Sequence, residues 1–135
     1  MRLAAVIGAD VEGAVLASEE PLSFWGGYDP ATGEIIDRRH PLSGFRAGGT
    51  ILVVPGTRGS STTTAVLLEA VRAGTAPAAI VADRADPFVS LASIVAEELY
   101  GQRLPLFVGD AATLARVRAA ARARISASGE VVLGP

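Results

Sequence analysis

The residues best suited to chemistry cluster where an apolar run gives way to a polar loop. Residues 51–54 read Ile-Leu-Val-Val. Pro55, Gly56, Thr57, Arg58 and Gly59 follow, and then five hydroxyl side chains in a row, Ser60 to Thr64. Glycines let a backbone turn tightly and approach a ligand. A helix starting after such a loop has N–H groups without intrahelical acceptors and a dipole positive at that end, which suits an anion. Arg58 adds a planar guanidinium fork matched to carboxylate or phosphate. The pattern is not a Walker A loop, which needs a lysine, and this chain has none. A plainer reading stays open beside this one: a hydroxyl caps the helix, Arg58 is solvated and the loop is structural.

A second loop is unusual for its aromatics. Phe24, Trp25 and Tyr28 fall within five residues, interrupted by Gly26 and Gly27 and followed by Asp29, Pro30 and Gly33. Trp25 beside two glycines could wall a pocket. On the residues alone, Phe24 and Trp25 filling the edge of the core is the better reading. The single histidine, His40, lies in a polar stretch before Pro41 and is expected at the surface, with no partner for a Ser-His-Asp system. Glu97 and Glu98 are adjacent on a predicted helix, so they diverge and do not form a catalytic carboxylate pair. The arginines from 116 to 124 are expected to form a solvated face.

Composition narrows the remaining chemistry. The chain has 135 residues, enough for one compact domain spanning 1–135, and half of them are hydrophobic, which argues against disorder. It has no cysteine, which removes disulfides, thiolate nucleophiles and cysteine-ligated metal or clusters from this chain. All 12 basic residues are arginine, so lysine Schiff-base chemistry is excluded. A net charge of −2 gives no electrostatic support for nucleic-acid binding. No stretch approaches the ~20 apolar residues of a membrane span, and the N-terminus does not read as a signal peptide. The expectation is a cytoplasmic protein.

These side chains need elements to hold them. Residues 2–8 and 13–17 read as strands, and 34–37 as a short one. The continuous apolar run 50–55 has the mark of a strand buried on both faces. Residues 65–73 carry apolar positions at helical spacing, with Gly74 suited to the C-cap. A strand follows at 78–81. Asp86-Pro87 opens a helix near 88–99, and a further strand follows at 104–108. Asp110 suits an N-cap, with Leu114 and Val117 on one helical face. The tail reads as that short helix followed by strands 122–126 and 130–133. The alternation suggests a layered α/β domain with mixed strands and helices over one face.

The residues also carry a resemblance. Ser23-Phe24-Trp25-Gly26-Gly27-Tyr28-Asp29-Pro30-Ala31-Thr32-Gly33 resembles the Ser-Phe-(Trp/Leu)-Gly-Gly-x-Asp-x-x-Thr-Gly signature of the aconitase X small-subunit or swivel-domain family. Arg58-Gly59-Ser60-Ser61 resembles its Gly-(Arg/Lys)-Gly-Ser loop. Gly74-Thr75-Ala76-Pro77-Ala78-Ala79-Ile80 is similar to its Gly-x-Ala-Pro-x-Ala-Ile segment. The match spans nearly the whole chain and includes three ordered motifs. One departure stands out: Thr63-Thr64 occupy the place of a family Gly-Ser. A further stretch, Ser90-Leu91-Ala92-Ser93-Ile94-Val95-Ala96-Glu97-Glu98, resembles the Ser-His-Ala-x-Ile-Val-Ala-Arg-Glu stretch of swivelling phosphohistidine domains. Leu91 stands where their phosphorylated histidine would be, which supports the fold and excludes phosphotransfer.

The resemblance implies a swivelling β/β/α three-layer domain, a mixed sheet or partly closed barrel with flanking helices. It implies the small subunit of an iron–sulfur-dependent hydro-lyase, with phosphomevalonate dehydratase first and cis-3-hydroxyproline dehydratase second among the substrates. The cluster would be held by cysteines of a large partner subunit. Ser60 matches the family's proton acceptor. Arg58, Gly59, Ser61 and Thr62 would bind an anionic substrate group. Phe24, Trp25, Gly26 and Gly27 would form a pocket wall or the contact with the large subunit. The readings from other classes are a non-catalytic small-anion-binding or regulatory module and a structural interaction domain.

Overall fold

The computed structural model describes residues 1–56 and 61–135. Its described elements run β1 (Ala4–Ile7), β2 (Val11–Ala17), β3 (Ile51–Val53), α1 (Ser61–Ala73), β4 (Ala79–Ala82), α2 (Pro87–Tyr100), β5 (Leu106–Val108), α3 (Ala111–Arg118), β6 (Arg122–Ile125) and β7 (Val131–Gly134). Among the described residues they build one seven-stranded sheet of order β1-β5-β4-β3-β2-β6-β7. Its centre, β2 to β5, is parallel; β1, β6 and β7 join antiparallel. The sheet curls until its margins meet: Arg2 bridges Glu130, and the Leu3 amide donates to the Gly129 carbonyl at 2.7 Å. The result is a partly closed barrel, as expected.

Side-chain alternation along the central strands sorts the core into two layers. Leu52, Ile80 and Leu106 face Leu67, Ala70 and Val71 of α1 and Val89, Ala92 and Ala96 of α2. Their neighbours Ile51, Val53, Ala79, Val81 and Phe107 face the other way, onto Leu114 and Val117 of α3 and Ala123 and Ile125 of β6. This corrects the expectation of helices over one face: α3 lies opposite α1 and α2. Because both faces of β3 and β4 are covered, their residues are buried without alternation of exposure.

The helix ends follow the local sequence. Asp86 caps α2, its carboxylate accepting from the amides of Phe88 (2.8 Å) and Val89 (3.2 Å), with Pro87 in the first turn. Asp110 caps α3 by accepting from the Thr113 amide at 2.8 Å, and this bond holds its carboxyl below the usual carboxylate range. Helix α1 starts at Ser61, one turn before the expected 65. Thr63 and Thr64 are buried in that turn, and the Thr64 hydroxyl donates to the Phe88 carbonyl at 2.8 Å. Of the two threonines that depart from the family pattern, Thr64 thus ties α1 to α2, and Thr63 is buried beside it in the chain.

The 33 residues joining β2 to β3 are the least legible. Residues 34–37 do not form a strand; Ile35 and Glu34 make isolated bridges to Tyr28 and Arg46. The segment nevertheless contributes Leu22, Phe24, Tyr28, Ile35, Leu42 and Ala47 to the α1–α2 layer of the core. His40 is buried, contrary to expectation. Its Nδ1 accepts from the Leu42 amide (3.1 Å) and its Nε2 lies 3.3 Å from the Glu20 carbonyl, so the ring serves as an internal brace for this segment.

Candidate active-site edge

The parallel strands β2 to β5 all end on one edge of the sheet, and in open α/β sheets ligands bind outside the carboxyl ends of strands. Backbone bonds knit that edge together: Ser18 amide to Val53 carbonyl (3.0 Å), Val54 amide to Val81 carbonyl (3.0 Å) and Gly109 amide to Ala82 carbonyl (3.0 Å). From it emerge Pro55-Gly56 after β3 and Asp83 to Asp86 after β4. The positive end of α1 opens at Ser61, on the far side of the loop that leaves β3.

Of the predicted site residues, Arg58, Gly59 and Ser60 lie outside the described residues. Ser61 is exposed and Thr62 half-buried at the start of α1, adjoining them in the chain. The four residues of the aromatic loop separate. Phe24 is fully buried, its ring centroid 5.3 Å from that of Tyr28, so it belongs to the core. Trp25 is 68% exposed. Gly26 is exposed, and Gly27 is buried where a Cβ would lie 2.2 Å from the Ser23 carbonyl oxygen, a position only glycine can fill. The loop starts beside the strand ends, since the Leu22 amide faces the Gly56 carbonyl at 3.4 Å. Trp25 sits three residues further on.

The far end of the same loop is anchored to the other end of α1. The Tyr28 hydroxyl donates to the Thr75 carbonyl at 2.6 Å, and the Thr75 hydroxyl donates to the Pro30 carbonyl at 2.7 Å. Burial pushes the Tyr28 phenol far above its ordinary value, which keeps it a donor. Two of the three sequence motifs, 23–33 and 74–80, thus meet in space. The third adjoins the opposite end of α1.

Sequence reasoning missed Arg84. A Cβ built on Gly56 would lie 2.9 Å from both Nε and Nη2 of Arg84, so the guanidinium lies against the backbone that opens the 57–60 loop. The signal was available: Arg84 stands two residues after a buried strand that runs parallel beside β3, which places it at the same edge. Glu97, by contrast, pairs with Arg103 through two contacts of 2.6 and 3.1 Å on the surface, away from this edge of the sheet, and does not pair with Glu98.

The residues present do not fit an iron–sulfur cluster. The sequence has no cysteine, and no group of three or more metal-ligating side chains assembles among the described residues. What the edge presents among the described residues is a helix start with the hydroxyl residues Ser61 and Thr62, and the exposed guanidinium of Arg84. Among the described residues no helix is long and apolar enough to cross a membrane.

Comparison with known proteins agrees with this geometry. The aconitase X swivel domain matches residues 1–133. The chain is 48% identical over 101 residues to a cis-3-hydroxy-L-proline dehydratase of Pseudomonas aeruginosa, covering 75% of this chain and 17% of that protein. The chain thus spans only a small part of that relative's length. It is 38% identical over 122 residues to a phosphomevalonate dehydratase small subunit of Pyrococcus abyssi, covering 90% of this chain and 88% of that one. A chain in the crystal structure of Thermococcus kodakaraensis aconitase X in its holo-form superposes with a TM-score of 0.83 at 29% identity, covering 100% of this chain and 99% of that chain. Fold, motifs and relatives converge, and the chain belongs to the aconitase X swivel domain family.

Proposed function

We propose that this chain is the small subunit of an aconitase X-type dehydratase, active with a large subunit and acting on phosphomevalonate or a related β-hydroxy acid. The observation that carries this reading is the extent of the match. The chain covers 88% of a relative that is itself a phosphomevalonate dehydratase small subunit, and 17% of a hydroxyproline dehydratase. The higher identity to the latter, 48%, keeps cis-3-hydroxy-L-proline as the second substrate reading.

In this reading Ser60 accepts the proton lost from the substrate carbon. The C–H electron pair becomes the new double bond, and the β-hydroxyl leaves with its own pair. A serine hydroxyl is too weak an acid to ionise freely near neutral pH, so the helix start and adjacent arginine must stabilise the alkoxide. Arg58, Gly59, Ser61 and Thr62 bind the substrate's anionic group. An iron–sulfur cluster would be held by the large subunit, and the chemistry it would supply there is Lewis acidity. The exposed Trp25 forms, in this reading, a pocket wall or the contact with that subunit.

The test is co-expression with a large-subunit candidate, anaerobic purification, and dehydration assays with 5-phosphomevalonate and cis-3-hydroxy-L-proline side by side. Turnover that requires both chains is expected, with phosphomevalonate preferred. A stable complex that turns over only hydroxyproline would select the second reading. Failure of the chains to associate would favour a stand-alone anion-binding module.

A further inference from the structure

We propose that Arg84 is a second cation of this edge and grips the anionic group of the ligand, a phosphate or a carboxylate, beside the loop that follows Gly56. The inference rests on the reading of this edge as a ligand site and adds to it a residue that the sequence motifs do not contain.

Three features carry it. The first is placement. Arg84 stands in the short connection between β4 and α2, at the carboxyl end of a strand paired in parallel with β3. The β3 carboxyl end and the β4 carboxyl end are neighbours, so the two loops share one edge. The second is close approach. With Nε and Nη2 both 2.9 Å and Cζ 3.2 Å from a Cβ position at Gly56, the guanidinium rests on a backbone that has no side chain to displace it. An alanine at 56 would have to push the arginine away. Glycine at the entrance of the loop thus has a use beyond the turn itself: it leaves room for a cation.

The third feature is unused hydrogen-bonding capacity. Among the described residues the recorded partner of Arg84 is Asp83, whose Oδ1 lies 3.2 Å from Nε, an exposed pair of small energetic weight. The terminal nitrogens have no recorded acceptor among the described residues, and the side chain is 65% exposed, so both remain open to an anion. A guanidinium can offer two parallel N–H donors to one oxyanion, a geometry suited to carboxylate and phosphate alike. The nearby Asp86 carboxylate is engaged by the amides of Phe88 and Val89 at the start of α2. Asp83 is therefore the carboxylate that competes with a ligand for Arg84.

The experiment is titration of the isotope-labelled full chain with inorganic phosphate, and in parallel with acetate, following the Gly56 amide and the Arg84 side-chain resonances. Wild type should show saturable shifts at both with at least one anion. Arg84→Gln should weaken binding about tenfold, the loss of one charge-assisted bidentate contact. Arg84→Lys should retain part of the affinity as a point charge, and Asp83→Asn should strengthen it. All three variants should melt with the wild type, because the pair is exposed. Equal dissociation constants for wild type and Arg84→Gln, or no saturable shift at Gly56 in wild type, would overturn the proposal. Either result stands whether or not the complex with a large subunit dehydrates any substrate, so this proposal and the functional reading fail separately.

Discussion

Helix α1, 13 residues and about 20 Å long, is held differently at its two ends. At the C-terminal end polar groups are committed to one another. Tyr28 donates to the Thr75 carbonyl, Thr75 donates to the Pro30 carbonyl, and the Gly49 amide donates to the Ala76 carbonyl at 3.1 Å. At the N-terminal end an arginine rests on a glycine with donors to spare, and hydroxyl residues lead into the helix. One end behaves as a scaffold whose groups satisfy each other; at the other, among the described residues, the Arg84 guanidinium has only the exposed Asp83 as a partner. The aromatic loop runs between them, from Leu22 beside Gly56 to Tyr28 beside Thr75. That explains how one signature can serve both purposes: its buried members fix the loop, and its exposed member is left at the edge.

The contrast predicts that substitutions at the scaffold end cost stability, whereas those at the open end cost binding. The largest effect on folding should come from Phe24→Ala, which removes a fully buried ring packed on Tyr28. A loss of about 3–5 kcal/mol in denaturant unfolding is expected; a loss under about 1 kcal/mol would mean the loop packs loosely. Tyr28→Phe keeps the ring and deletes the hydroxyl, leaving the Thr75 carbonyl without that donor. It should cost about 1–2 kcal/mol, and no change would show that the anchor is dispensable. The smallest effect on folding should come from Trp25→Ala, within about 0.5 kcal/mol because the indole is exposed. The same variant should bind the large subunit at least about tenfold more weakly, since Trp25 shares its segment with exposed Ile36 and Phe45 and large exposed aromatics anchor interfaces. Unchanged assembly would confine Trp25 to the substrate side or to neither.

Much of this was legible in the sequence, for identifiable reasons. The runs at 50–55 and 78–81 are apolar without alternation because helices cover one face and α3 with β6 covers the other. Asp86-Pro87 and Asp110 announced helix starts because their carboxylates accept from amides of the first turn. Residues 22–47 were not legible as structure, because they bury apolar side chains through turns and isolated bridges with no period to read. His40 was misplaced for the same reason: a polar neighbourhood in sequence hid a buried brace. Arg84 went unnoticed because a lone arginine after a strand carries no motif, and only the pairing of β4 with β3 brings it to Gly56.

The most direct test of the central claim, that this chain supplies half of an active site, is Ser60→Ala in the complex with the large subunit. The variant should assemble like wild type and bind substrate, while turnover falls by about 10²–10⁴-fold, the range for loss of a positioned general base. Wild-type turnover in an intact Ser60→Ala complex would contradict the claim and leave this chain a binding or closing element only.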